Sequence, residues 1–465
     1  MKPGILSIDL GTSSVKLLWF CENEIQSVSE KYTEISPDGW FDAVCKAMKR
    51  LSTAEVRAIG LSSQVGTYIV DDKYVVSWND PVGQNELEET LGRHTQAEYI
   101  AEISMPHPKI LSYPLPRLRY IIGKFGIQKS VMQPKDMLIK RLCGTARTDK
   151  YSWRGLCNLE TGKYSEKLLS ELGLDSSVFP EISGPTEIAG RTTEQFSKLC
   201  GLPAGTPVYT GCNDFFAAIC SMGIVSSGSL FDITGTSEHL GVVSDVPPDE
   251  STPLVSGPYF SGYAVYGVTA SSGRSLDLAL SLDSLTKDQL YEKYSPSLPI
   301  FLPYLNGERA PIFDQNARGV FFGMGADCDK TSLCVSIAEG VVFSLWHIYE
   351  TLGRPQADRI AVTGGASKSE ALNILKATLF DKPVYPCVQK DASAYGAAML
   401  AAVGCGDYLS LGEAAADCRY KEAVMPEKRF QSLMYQRFEI YRSLYPTLKK
   451  QFDKAEEIRN NFERK

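Results

Sequence analysis

Two stretches half a chain apart share one plan: an apolar strand, a Gly-Thr-Ser turn and a second apolar strand. The first reads Ile5-Leu6-Ser7-Ile8-Asp9-Leu10-Gly11-Thr12-Ser13-Ser14-Val15-Lys16-Leu17-Leu18. The second reads Ser229-Leu230-Phe231-Asp232-Ile233-Thr234-Gly235-Thr236-Ser237 and continues into Leu240-Gly241-Val242-Val243. Short apolar runs broken by turn residues predict buried hairpins. A hairpin repeated one domain apart implies an internal duplication, and two facing copies could hold a polyphosphate. Gly11 and Gly235 let the backbone approach a ligand, while the N–H groups and hydroxyls around Thr12, Ser13, Thr236 and Ser237 can wrap anionic oxygens. Asp9 faces the same mouth, and a carboxylate beside phosphates calls for a hydrated Mg²⁺ between them. The same residues also make an ordinary polar turn with no ligand. Asp232 stands three residues before its glycine and Asp9 two, so the acids are not equivalents. Neither turn matches the Walker A or dinucleotide patterns.

At 465 residues the chain has room for two or three domains. A net charge of -7 argues against a nucleic-acid-binding face. The sequence shows no apolar run of spanning length and no signal-peptide core, which predicts a cytoplasmic protein without membrane attachment. Twelve cysteines without paired spacing predict reduced core thiols rather than a disulfide frame or zinc site. His94, His107, His239 and His347 are too scattered for a histidine metal site.

Along the chain, strand patterns fall at 29–35 and 58–64 and a helix at 40–51; the second strand ends in polar Ser62-Ser63-Gln64, where α/β proteins place ligand contacts. A hairpin about Asp71-Asp72 leads to Trp78-Asn79-Asp80, and residues 86–141 are mostly helical in pattern, the last helix at 137–142. A strand at 208–211 precedes Cys212-Asn213-Asp214 and an apolar helix over 215–223. Asp214 reads either as a helix N-cap or as a general base at a strand-to-helix junction. The domain boundary is expected here, giving domains 1–225 and 226–465. The second half carries a long apolar helix at 332–352, whose Glu339 and His347 suggest no chemistry. Strand, double glycine and helix start follow at Val362-Thr363-Gly364-Gly365-Ala366, a site a flat nucleoside can approach, or merely a tight turn. A strand at 383–386, a small-residue helix at 394–402 and a mixed-charge helical tail at 449–465 complete the chain.

In this order the motifs resemble those of the FGGY carbohydrate kinases, within the actin-like ATPase superfamily. The carriers are Asp9 to Lys16, Trp78-Asn79-Asp80, Pro134-Lys135-Asp136, Thr148-Asp149, Gly211-Cys212-Asn213-Asp214, Gly235-Thr236-Ser237, Gly307 to Pro311 with Ala317-Arg318-Gly319, Gly364-Gly365-Ala366 and Gly396-Ala397-Ala398. The resemblance implies an α/β fold of two ribonuclease-H-like domains with a nucleotide cleft between them. It implies Asp9 for the metal and Gly11, Thr12, Ser13 and Lys16 for the transferring phosphate. Gly235, Thr236 and Ser237 would serve the other phosphates, and Gly364, Gly365 and Ala366 the adenosine. Asp214 would be the base, and Gln64, Trp78, Asn79 and Asp80 would line the sugar pocket. The implied cofactors are ATP and Mg²⁺; the implied partner is a small carbohydrate, with a homodimer as a further expectation. The chain departs from the family at Val65-Gly66-Thr67, where xylulokinase-like members have Met-His-Gly after the glutamine, and at Val82, where an arginine is common. The acceptor is therefore a ketose, polyol or sugar acid, xylulose-like as the first choice. Two other readings are an ATPase that drives a partner protein, and a non-catalytic sugar-responsive binder; the presence of both Asp9 and Asp214 argues for the kinase.

Overall fold

The computed structural model describes residues 4–21, 24–51, 55–106, 110–127, 129–247, 249 and 251–463, so His107 and the last two residues of the expected tail lie outside the described residues. In chain order the elements that position the site begin with strands β1 (Gly4–Leu10), β2 (Ser14–Cys21) and β3 (Glu24–Lys31), helix α1 (Pro37–Arg50) and strand β4 (Val56–Ser63). They continue with α2 (Pro134–Cys143), β5 (Ile188–Arg191), β6 (Pro207–Tyr209), β7 (Cys212–Asn213) and α3 (Asp214–Ser221). The second half brings β8 (Ser229–Thr234), β9 (His239–Ser244), β10 (Gly262–Val268), α4 (Ser272–Leu282), α5 (Lys330–Thr351), β11 (Arg359–Gly364), α6 (Glu370–Phe380), β12 (Val384–Pro386), α7 (Ala392–Gly404) and α8 (Lys428–Glu463).

The chain forms two compact units. The first takes residues 1–225 together with 257–261 and 391–418; the second takes 226–256, 262–390 and 419–465. The main segment of the first unit ends at Val225, and two later segments return to it, including the whole of α7.

In the first unit the sheet order is β5-β6-β4-β1-β2-β3, with β7 also paired to β4. β1 runs antiparallel to β2 and parallel to β4. In the second unit β10-β9-β8-β11-β12 repeats the plan: β8 is antiparallel to β9 and parallel to β11. The duplication inferred from the two turns is therefore a duplication of topology. Each central strand is apolar because both of its faces are covered, as parallel strands require. In the first unit α7 lies on β1 and β4 with small residues at the contact: a Cβ on Gly60 would stand 2.2 Å from the Ala397 carbonyl oxygen, and one on Gly396 1.8 Å from that of Ala217.

Several boundaries differ from the sequence pattern. β3 spans Glu24–Lys31 rather than 29–35, because all eight of its residues pair with β2, from Cys21 opposite Glu24 to Ser14 opposite Lys31. α2 starts at Pro134, where the missing N–H costs nothing. The tail is the end of one helix, α8, which begins at Lys428. The statement that no segment reaches spanning length is corrected by α5, which is long and apolar enough; 78% of its most apolar window is buried in the protein interior. Its Glu339 is fully buried and met by Arg437 at 2.6 Å, while Tyr294 donates to the same carboxylate at 2.5 Å. All twelve cysteines are free thiols, yet Cys45 on α1 and Cys200 lie with their Sγ atoms 2.6 Å apart, a proximity that 155 residues of sequence separation hide.

Candidate active site

Three parallel strand ends in the first unit bring the acidic candidates together. Asp9 pairs with Ser62, Cys212 also pairs with Ser62, and Asn213 pairs with Ser63. The next residues out from this edge are Gln64 and Asp214, so Asp9, Gln64 and Asp214 share the carboxyl end of the sheet, where open α/β sheets bind ligands. Gly211 makes the approach possible: its φ is +65°, and a Cβ there would stand 1.7 Å from the Leu61 carbonyl oxygen.

The N-cap reading of Asp214 is corrected. Asn213 is the cap, its Oδ1 accepting from Phe216 N at 2.9 Å, and Asp214 is the first helical residue with its Oδ1 accepting from its neighbour Phe215 N at 2.8 Å. Burial lifts the Asp214 carboxyl to about 7, and the charge of Asp9 adds to the rise; the Phe215 N–H and the Arg154 guanidinium pull the other way. Burial likewise raises Asp9, against the Ser62 hydroxyl and Lys16, and Asp391 adds to the rise. Ser62 Oγ donates to Asp9 Oδ1 at 2.8 Å, with the Ser393 carbonyl oxygen 3.3 Å away. Lys16 Nζ lies 3.3 Å from Asp391 at the start of α7.

The Gly11-Thr12-Ser13 turn leaves Thr12 and Ser13 exposed. Trp78 Nε1 donates to Thr12 Oγ1 at 3.2 Å, which joins one of the expected sugar-pocket residues to this turn. Asn79 and Asp80 behave differently: Asn79 Oδ1 accepts from Ser77 Oγ and Asp80 Oδ2 from Ser77 N, so both side chains fold their own turn. Fully buried Arg117 donates to the carbonyls of Asp80 at 2.7 Å and Trp78 at 3.3 Å and holds that turn in place. Gln64 is 5% exposed, and its Oε1 has no donor among the described residues.

Pro134-Lys135-Asp136 and Thr148-Asp149 support a loop rather than line the site. Lys135 Nζ is 3.1 Å from Asp149, which accepts from Tyr151 N, Ser152 N and Ser152 Oγ, while Asp136 accepts from Trp153 Nε1. The next residue, Arg154, has its guanidinium 5.1 Å from the Phe216 ring centre and 5.5 Å from that of Tyr113.

In the second unit Thr234 pairs with Gly364, so the Gly235-Thr236-Ser237 turn and the Gly364-Gly365-Ala366 turn emerge side by side from β8 and β11. Thr234 Oγ1 ties them by donating to Thr363 O and accepting from Ala366 N, both at 3.0 Å. Gly364 has φ +97°, and a Cβ there would stand 2.0 Å from Thr234 O. Arg309 Nη1 reaches Ser237 Oγ at 3.3 Å. Beneath the turn Lys376 Nζ bonds Asp232 Oδ2 at 2.5 Å and Glu238 Oε1 at 2.6 Å, and Ser272 Oγ donates to Glu238. Burial raises both acids; for Asp232 it prevails, while at Glu238 the charge of Lys376 and the hydrogen bonds with Asp232, Lys376 and Ser272 outweigh it.

Sequence reading placed Ser62 at a ligand-facing strand end but missed Arg117, Arg154, Asp391 and Lys376. Of these only Asp391 carried a usable signal, an acid directly before the small-residue helix.

Residues 4–220 match the FGGY family of carbohydrate kinases, N-terminal domain, and residues 231–405 match its C-terminal domain. A curated relative, the xylulose kinase of Staphylococcus epidermidis, is 26% identical over 97% of this chain and 98% of its own. The solved xylulose kinase of Lactobacillus acidophilus superposes with a TM-score of 0.88 at 24% identity, covering 97% of this chain and 100% of that one. The gluconate kinase of the same organism gives 0.87 at 24% identity over 97% and 99%. Two domain matches in the right order, over a twice-used strand plan with its acids at the sheet edge, settle the assignment: the chain belongs to the FGGY family of carbohydrate kinases.

Proposed function

We propose that the chain transfers the γ-phosphoryl group of ATP to a hydroxyl of a small carbohydrate, a ketose, polyol or sugar acid with a xylulose-like ketose as the first choice, and that Asp214 is the general base. The observation that carries this reading is the meeting of Asp214 with Asp9 and the Gly11-Thr12-Ser13 turn at one sheet edge. A carboxyl near 7 suits a base at neutral pH, because it is ionised often enough to accept a proton and basic enough to hold it.

Asp214 takes the proton from the acceptor hydroxyl as its oxygen attacks. Thr12, Ser13 and Lys16 receive the transferring phosphate, Gly235, Thr236 and Ser237 the remaining phosphates, and Gly364, Gly365 and Ala366 the adenosine, whose flat ring the bare glycine backbone admits. Gln64 and Trp78 contact the sugar directly, and Asn79 and Asp80 frame the pocket through their turn. Such a division suits phosphoryl transfer, in which positioning and charge neutralisation supply most of the catalysis.

The residues fit Mg²⁺. Asp9 is a buried oxygen ligand whose charged form has one short hydrogen bond, from Ser62, and whose burial cost a cation would offset. Among the described residues there is no cluster of three or more ligating side chains, as suits an ion that takes few protein ligands and several waters. When bound, the ion neutralises the phosphate charge and orients the γ-group. A cytoplasmic setting and a homodimer belong to the same proposal.

The test is ADP release with MgATP across ketoses, polyols and sugar acids, with Asp214→Ala as the control. The expected result is an acceptor-dependent rate that falls about 10²-fold or more in the variant while ATP binding survives. Near-wild-type turnover in Asp214→Ala would overturn the base assignment, and equal turnover without any acceptor would favour the partner-coupled ATPase.

A further inference from the structure

Two groups flank Asp214 with opposite hydrogen-bonding character. Gln64 offers an acceptor: its Oε1 is buried, lacks a donor among the described residues, and stands one residue past the Asn213–Ser63 pairing, level with Asp214. Buried polar atoms left in this state are rare and expensive, and a ligand hydroxyl is the natural donor. Arg154 is a donor-only group, with N–H edges and no lone pair. Its guanidinium lies over the ring of Phe216, 5.1 Å from the ring centre and two residues after Asp214 on α3, with its N–H edges left for polar partners.

The position of Arg154 is built, not incidental. Its loop is fixed from below by the buried Lys135–Asp149 pair and the Trp153–Asp136 hydrogen bond, and from the side by Asn213 Nδ2, which donates to Tyr151 O at 3.4 Å. Asn213 is the immediate neighbour of Asp214, so the backbone that carries the guanidinium and the backbone that carries the carboxylate are tied together. Such bracing is what precise recognition needs.

Building on the kinase reading, we propose that Arg154 determines acceptor specificity by donating to an sp² oxygen of the sugar, the carbonyl of a ketose or the carboxylate of a sugar acid, and so selects against the matching polyol. Gln64 accepts from a neighbouring hydroxyl of the same acceptor. A carbonyl or carboxylate oxygen presents only lone pairs to a donor-only group, and its bond to a cation is strengthened by charge. A hydroxyl in its place is a weaker acceptor, and its own hydrogen needs a further partner in the pocket.

The experiment compares kcat/KM for D-xylulose against xylitol and for D-gluconate against D-glucitol in the wild type, Arg154→Gln and Arg154→Lys. Each pair keeps its carbon chain and exchanges only the sp² centre. The expected wild-type ratio favours the oxo or carboxylate member by about tenfold or more in one pair, and which pair shows it tells carbonyl from carboxylate. In Arg154→Gln that ratio collapses to within about threefold of one, and Arg154→Lys restores part of it. Ratios cancel any loss shared by both acceptors, including partial misfolding. Polyols used as well as their partners by the wild type, or a ratio that Arg154→Gln leaves unchanged, would overturn the Arg154 assignment while the kinase reading stands. No transfer to any sugar of a broad panel would overturn the kinase reading and this assignment with it.

Discussion

The two Gly-Thr-Ser hairpins have the same strands, turn and neighbours in the sheet, and they treat charge in opposite ways. In the first, Asp9 lies two residues before the glycine and its carboxylate has Ser62 as its close partner. In the second, Asp232 lies three residues before the glycine, hence on the other face of its strand, and Lys376 holds it against Glu238. A one-residue change of register thus separates a carboxylate kept available from one locked into the architecture. Duplication supplied the frame, and on the proposed reading the position of one acid decides which copy holds the cation.

The sharpest way to break this contrast is to remove Lys376. Lys376→Met leaves Glu238 and Asp232 buried without their cation, and should lower the unfolding free energy of the second unit by about 3–5 kcal/mol, read as a fall in the denaturant midpoint. Unchanged stability would mean that the second acid is not structural. The complementary change, Asp9→Asn, should leave that midpoint nearly in place and cut kcat by about 10²-fold or more, with a weakened dependence on Mg²⁺ concentration. If the stability loss were instead the larger effect at Asp9, the contrast would fail.

The pH dependence sharpens the comparison within the first unit. With Asp214 as the proposed base, acting in its ionised form, kcat/KM should rise through pH 7 and fall about tenfold per unit below it. Stability runs the opposite way: the carboxyl ionises near 4 in the unfolded chain, so its raised folded value favours folding at low pH, and that contribution is lost as the pH climbs from about 4 to about 7. Asp214→Asn should therefore be more stable than the wild type at pH 8 and no more stable at pH 4, measured by thermal melts at both values.

Two smaller effects test the turns. Gly364→Ala forces a side chain onto Thr234 O at a positive φ and should cost about 1–3 kcal/mol, seen as weaker ATP binding by calorimetry. Trp78→Phe keeps the ring but deletes the bond to Thr12, and a rise of about fivefold in KM for the acceptor is expected. An effect on ATP affinity alone would move Trp78 out of the sugar pocket.

The hairpins, the helix at Asp214 and the double glycine were legible because each is a local pattern: apolar runs, turn residues and a strand-to-helix change within a dozen residues. The same locality explains what was missed. Arg154 follows its motif by a few residues, but what matters about it, the ring of Phe216 beneath it, lies sixty residues on. Lys376 looks like any helical lysine until Asp232 and Glu238 are brought to it from 144 and 138 residues away. Asn213 rather than Asp214 caps the helix because the chain turns one residue earlier than the apolar run suggests, which makes Asp214 the first helical residue.

The return of α7 to the first unit has a consequence for how the chain is made. On a ribosome, residues 1–225 emerge long before Ala392–Gly404, yet β1 and β4 wait for that helix to cover them and α3 waits for its small-residue face. The half of the molecule that is synthesised first is therefore finished almost last, and its apolar sheet must be shielded through most of translation. A fragment ending at 225 should be sticky and poorly folded, and supplying residues 391–418 on a tether should restore it.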